Sequence, residues 1–134
     1  MLFLSSRARR DIQTAVSLLT TRVKKPDKDG WGKLKKEFKY LNGTRSLKLT
    51  LTMESMGVIK WFIDGSHNTH WDCKGHSGAM MVMGCGSISS YSRRIKVNTR
   101  SSNDTEMVSV DAYIPEVLWY LYFIQAQEHG LKYA

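Results

Sequence analysis

Cysteine, proline and, in its first half, acidic side chains are what this sequence has least of. Two cysteines among 134 residues, Cys73 and Cys85, do not make a disulfide framework. No secretory signal opens the chain, so a reducing compartment, cytoplasmic or nuclear, is expected. The start, MLFLSSRARR, is basic and free of acids until Asp11, as organelle presequences are, but it leads straight into a helical pattern. The longest strongly apolar run, Val117 to Ile124, is far too short to cross a bilayer, which excludes a membrane span. There is no internal repeat and no low-complexity segment. The length fits one domain, or one domain with a helical extension.

Charge is what the chain has in excess, and it is uneven. Lys and Arg number 20 against 12 Asp and Glu, a formal charge of +8. Residues 1–60 hold 14 basic and 5 acidic side chains, so +9, whereas residues 61–134 hold 6 and 7, so −1. The first half is therefore the better candidate for touching a polyanion, and the competing explanation is a set of solvated helix faces.

Ile12, Ala15, Val16, Leu19 and Val23 recur at helical spacing from about residue 9 to 23, until Pro26 blocks continuation. Trp31, Leu34, Phe38 and Leu41 form a second helical stripe, with Asp29 as expected N-cap and Asn42-Gly43 as its close. Lys33, Lys35, Lys36 and Lys39 populate its other faces. After Gly43 the pattern changes to short runs rich in β-branched and aromatic residues. LKLTLTM (47–53) and GVIKWFID (57–64) predict two strands, and GAMMVMG with SISSYSRR predicts a hairpin turning around Gly84-Cys85-Gly86. The last element is a long helix from about Asn103 to Glu128, carrying Met107, Val110, Ile114, Val117 or Leu118, Leu121 and Ile124 on one side. Pro115 inside it predicts a kink or two consecutive helices, and Gly130 a stop.

Two constellations carry candidate chemistry. His67, His70, Cys73 and His76 recur every three residues in DGSHNTHWDCKGHSG. These are ligand types that zinc accepts, yet structural zinc sites draw paired ligands from two segments, and only Cys85 and His129 remain elsewhere. Incidental imidazoles in a polar loop are the favoured explanation, with a small zinc protein as the less favoured one. Asp64 ends the run VIKWFI, where a strand delivers a carboxylate to the rim of a sheet just before the small Gly65 and Ser66, although an Asp there is often simply a turn former. Glu106 in RSSNDTEMVSV matches a capping box with Asn103, or else it presents a second carboxylate towards Asp64. Magnesium takes oxygen ligands, usually one or two carboxylates completed by waters and phosphates. Asp111 lies about 140° around the helix from Glu106, Asp104 is placed to face the helix N-terminus, and Asp72 falls in a loop, so no third ligand stands out.

These stretches resemble the end of the polymerase polyprotein of copia-type retrotransposons, where the reverse transcriptase runs into its RNase H domain. RARRDIQTAVSLLTTRV and WGKLKKEFKYLNGT look like the family's helical segments after the polymerase palm, with Arg10 where proline is usual. KWFIDGSHNTHWDCKGHSGAMMVMG resembles the first RNase H strand with its aspartate, the following loop and the second strand. SISSYSRRIKVNTRSSNDTEMVSVDA resembles the "SSTEAEY" stretch, with Asn103, Asp104 and Thr105 in place of Thr, Glu and Ala. On this match Asp64 aligns with the first catalytic aspartate and Glu106 with the catalytic glutamate. The resemblance implies hydrolysis of the RNA strand of an RNA:DNA hybrid by magnesium or manganese, with two ions roughly 3.5 to 4 Å apart. Asp64 would bridge them and Glu106 would bind one; the remainder of the polyprotein would be a partner, and 2′-hydroxyls would mark the hybrid. The family's next catalytic aspartate follows in a strand beyond Ala134, so this chain is expected to be an incomplete RNase H region with little or no activity alone. A non-catalytic nucleic-acid-binding remnant using the lysines of the second helix is the alternative. The expected architecture is α/β: residues 1–45 as two helices from the reverse transcriptase side, and residues 46–134 as a truncated RNase H-like mixed sheet of about four strands with a long helix on one face.

Overall fold

A computed structural model describes residues 1–54 and 58–127 and places them in two compact units, Met1–Leu49 and Thr50 onward. Among the described residues the chain is mixed α/β, with four α-helices and one open three-stranded antiparallel sheet.

The first unit contains α1 (Leu2–Arg7), a 3₁₀ turn (Arg10–Ile12), α2 (Gln13–Thr20) and α3 (Lys28–Gly43). The helix expected over 9–23 is thus shorter and preceded by another. Its buried stripe is Ile12 and Val16, while Val23, past the helix end, is exposed. Arg9 fastens the unit. Its guanidinium donates to both carboxylate oxygens of Asp11 (2.7 to 3.2 Å) and to the Thr44 carbonyl and hydroxyl beyond α3 (2.9 and 2.6 Å). That pairing holds the Asp11 carboxyl below its ordinary value, because the guanidinium favours the ionised form. α3 is capped by Asp27, whose Oδ1 accepts from the Gly30 N–H at 2.6 Å, rather than by Asp29. Asp29 sits in the first turn instead, where its charge suits the helix N-terminus and pairs with Lys33 at 2.8 Å. No residue of α3 is fully buried: of its apolar stripe, Leu34 and Leu41 are half-buried, and Trp31 and Phe38 are exposed.

In the second unit the sheet order is β1 (Lys60–Ser66), β2 (His76–Val82), β3 (Ser87–Arg94), followed by α4 (Ser102–Ala126). The hairpin around Gly84-Cys85-Gly86 forms as expected, and the φ of +82° at Gly86 is a conformation that glycine adopts without a Cβ penalty. The expected strand at 47–53 does not form, so the sheet has three strands rather than four. Its alternating sequence finds no ladder partner. Instead the chain lies along the β2–β3 turn, with Thr52 N–H on the Cys85 carbonyl (3.0 Å) and Glu54 N–H on the Met83 carbonyl (3.1 Å).

Strand pleating divides the sheet into two unlike faces. Trp61, Ile63 and Gly65 of β1 lie opposite Met81, Ala79 and Ser77 of β2, which in turn face Ser89, Tyr91 and Arg93 of β3. This face is covered by α4, whose buried residues are Thr105, Ser109 and Tyr113. Tyr113 is fully buried, its hydroxyl donating to the Ser77 carbonyl at 3.3 Å and its ring 5.6 Å from that of Tyr91. Arg93 pairs with Glu116 at 3.2 Å, and Tyr120 meets Trp61 edge-on. The opposite face carries Lys60, Phe62, Asp64 and Ser66, with Phe62 56% exposed.

α4 corrects two expectations. Of the two outcomes expected at Pro115, a kink or two consecutive helices, the second does not occur: the element is one helix, with contacts at Tyr113 and Tyr120 holding the turns on either side of the lost backbone donor. Its anticipated apolar side is also not the packed one. Met107, Val110, Ile114 and Leu118 are exposed, and the sheet is met by small polar residues and tyrosines. The expected end at Glu128 and the stop at Gly130 lie outside the described residues.

Helix and sheet approach each other most tightly at Gly65. A Cβ there would stand 2.5 Å from Ser109 Oγ and 2.8 Å from the Thr105 carbonyl. Because the second neighbour is helix backbone, it cannot rotate aside. Gly65→Ala should destabilise the chain by about 1 to 3 kcal/mol, the usual cost of overpacking. Urea unfolding measures this, and Gly78→Ala, whose Cβ would have ordinary clearance of 3.7 Å, should cost less.

Candidate functional site

Asp64 and Glu106 come from segments in van der Waals contact. Gly65, the residue after Asp64, packs on Thr105, the residue before Glu106. The fold therefore returns α4 to the end of β1 that carries the aspartate. The side chains, however, leave that contact in different directions. Gly65 faces α4, so the pleat turns Asp64 to the other side of the sheet, where it is exposed. Glu106 is one position past the buried Thr105, hence rotated about 100° around the helix, and is exposed as well. Neither carboxylate makes a hydrogen bond or ion pair among the described residues.

The start of α4 differs from the expected capping box. Ser101 is the N-cap, its Oγ accepting from the Asp104 N–H at 3.1 Å, and Asp104 Oδ2 accepts from the Arg100 N–H at 3.3 Å. Asn103 is inside the helix, so Glu106 has no reciprocal cap to make. Asp104 fulfils the role expected of it at the positive end of the helix dipole.

Among the described residues, no group of three or more His, Cys, Asp or Glu side chains is gathered closely enough to hold a metal ion. Magnesium takes oxygen ligands, usually one or two carboxylates completed by waters and phosphates, and Asp64 and Glu106 are both exposed carboxylates. The imidazole ladder is divided too. His67 Nδ1 bonds Thr99 Oγ1 (3.0 Å) and Thr105 Oγ1 (3.2 Å) on the α4 side. His70 Nε2 and His76 Nδ1 are 3.1 Å apart in a buried pair, and His76 Nε2 reaches Ser92 Oγ at 2.7 Å. Cys73 is exposed, at φ +58°. The four side chains thus point to three separate places and do not enclose one ion.

The loop that carries them is pinned. Asp72 pairs with Arg94 on β3, Lys74 Nζ donates to the Lys96 carbonyl at 2.7 Å, and His70 and Cys73 N–H groups close backbone turns on Lys74 and His70 carbonyls. Asp72 is therefore a structural ion-pair partner of the sheet. Spacing along the sequence offered no sign of the His67–Thr99–Thr105 cluster, because its members come from three different segments.

In the first unit Lys33, Lys35, Lys36 and Lys39 are all exposed on α3, and Lys35 Nζ lies 5.4 Å from the centre of the exposed Trp31 ring. Lys35, Lys36 and Lys39 fall within about 100° of one another around the axis. A largely apolar groove of about 450 Å³ opens between α1, α2 and α3, lined by Leu2, Phe3, Val16, Leu19, Trp31 and Leu34 among others. It offers few polar groups to orient a ligand. No helix among the described residues is long and apolar enough to cross a membrane.

No family model, curated protein or solved structure matches this chain.

Burial holds both His70 and His76 below the ordinary histidine value, reinforced at His70 by the Arg94 charge and at His76 by His70. For both groups the folded state resists the proton more than the unfolded chain does, so their neutral forms stabilise the fold above about pH 6.5, the ordinary value. As pH falls from there through the depressed folded values, the unfolded chain gains protons first and stability declines. Thermal unfolding at pH 7.5 and 5.5 should show a lower Tm at the acidic pH, and His70→Gln with His76→Gln should flatten that difference.

Proposed function

We propose that the chain is a retroelement-derived RNase H-like region, of the copia-type kind it resembles, whose own residues do not sustain hydrolysis. The observation that carries this reading is the return of α4 to β1, which packs Gly65 on Thr105 and so brings the Asp64 and Glu106 segments together from distant parts of the chain. A nuclease site of this class requires that juxtaposition, since its carboxylates must share a phosphate and its ions. The missing catalysis follows from the side chains. Two exposed carboxylates with no third acid gathered beside them among the described residues are too few to hold two magnesium or manganese ions in place. The remainder of a polymerase polyprotein is the partner this reading implies, and an RNA:DNA hybrid its substrate class.

A second reading keeps nucleic acid and drops chemistry altogether: the exposed lysines of α3 grip phosphates without regard to the strand. The +9 charge of residues 1–60 supports it.

Binding to an RNA:DNA hybrid and to duplex DNA of the same sequence separates the two readings. The RNase H-like reading expects tighter hybrid binding, because 2′-hydroxyls distinguish the strands. Equal affinities would remove that reading and leave the phosphate grip. Incubation of labelled hybrid with magnesium or manganese should give no more cleavage than Asp64→Asn does. Cleavage abolished by that substitution would overturn the claim of inactivity.

For the phosphate grip, replacing Lys33, Lys35, Lys36 and Lys39 together by Gln should weaken binding equally across sequences. It should also reduce the dependence of log affinity on log salt by about 0.9 for each phosphate that the lysines no longer neutralise. A salt slope unchanged by the four substitutions would exclude α3 as the binding face.

A further inference from the structure

α4 is apolar on the side that faces no part of its own sheet. Met107, Val110, Ile114 and Leu118 are 74, 46, 45 and 40% exposed, and the half-buried Leu121 continues the line. Thr105, Ser109 and Tyr113, which meet the sheet, lie on the other side of the helix axis. A helix packed on one side and apolar on the other belongs between two layers, and within the second unit the sheet supplies only one of them.

The spacing of the stripe indicates what the second layer is. Counted from Ile114, its members stand at −7, −4, 0, +4 and +7, a pattern that reads the same in both directions. Two copies of α4 running antiparallel about a two-fold axis at Ile114 would set Met107 against Leu121 and Val110 against Leu118, twice over. That self-complementarity is what an isologous interface requires. The steps of three and four keep the seam continuous in the manner of packed helices.

The charges select the same arrangement. α4 holds Asp104, Glu106, Asp111 and Glu116 and no Lys or Arg. Glu106 and Asp111 flank the first half of the stripe, whereas Val117 to Ile124 is uncharged. Antiparallel packing lays the acidic half of each helix beside the uncharged half of the other. Parallel packing would place Glu106 beside Glu106 and Asp111 beside Asp111, which like charges oppose. Covering the exposed parts of the stripe in two copies removes on the order of 1,000 Å², where specific interfaces begin.

We propose that the chain forms a two-fold symmetric homodimer through the outer face of α4, helix against antiparallel helix, centred on Ile114. The sheets then lie outermost, each on the far side of its own α4, so pairing meets no obstruction from them. The dimer uses no carboxylate assigned to nucleic acid chemistry and stands or falls apart from the function proposed above.

Light scattering on the full chain should give twice 15.3 kDa at tens of micromolar, and Ile114→Lys should return it to the monomer mass with unchanged far-ultraviolet circular dichroism. A second test does not depend on that variant folding. In a background carrying Cys73→Ser and Cys85→Ser, oxidation should crosslink Ile114→Cys to itself across the axis and leave Met107→Cys uncrosslinked. A monomer at all concentrations, a dimer that persists in Ile114→Lys, or crosslinking through Met107→Cys as efficient as through Ile114→Cys would each overturn the proposal.

Discussion

The second unit depends on how closely α4 can lie on β1. Gly65 has no Cβ, and Thr105 and Ser109 present short side chains whose hydroxyls already bond helix carbonyls, Thr105 to Ser101 and Ser109 to Thr105. Backbone therefore meets backbone at that point without stranding a polar group. From this anchor the helix axis is fixed, Tyr113 drops over β2 and β3, and Arg93, Tyr91 and Trp61 find their partners. Proline in mid-helix is tolerated because turns on both sides of it are held by the same surface.

The same contact sets the limits of the chemistry. It draws the Asp64 and Glu106 segments together from distant parts of the chain. It also fixes, through the pleat, that Asp64 emerges on the face α4 does not cover. Both carboxylates are exposed, and neither belongs to a group of three potential metal ligands among the described residues. The imidazoles meet a similar outcome: burial and mutual hydrogen bonding commit His70 and His76 to the loop, and His67 to the threonines beside the helix start.

Much of the fold was legible. A β-branched and aromatic run marked β1, and the glycines around Cys85 marked the hairpin of β2 and β3. The strand expected at 47–53 failed because alternation describes a residue's suitability for a pleated surface, not the presence of a neighbour to pair with. The caps shifted by two residues at both α3 and α4, since Asp27 and Ser101 compete with Asp29 and Asn103 and only side-chain reach decides between them. The candidate carboxylates were visible as residues; their mutual direction was not.

Composition and local pattern determined by themselves three helical stretches and three of the strands, the uneven charge and the absence of any membrane-crossing run, because these rest on the chemistry of neighbours in sequence. Which side of α4 would be covered was decided only in three dimensions. Its stripe of Met107, Val110 and Ile114 is the more apolar, yet the sheet took Thr105, Ser109 and Tyr113, because close approach at Gly65 favours small groups over hydrophobic ones. Periodicity reveals that a helix has an apolar side; it takes the shape of the opposing surface to say which side that surface accepts.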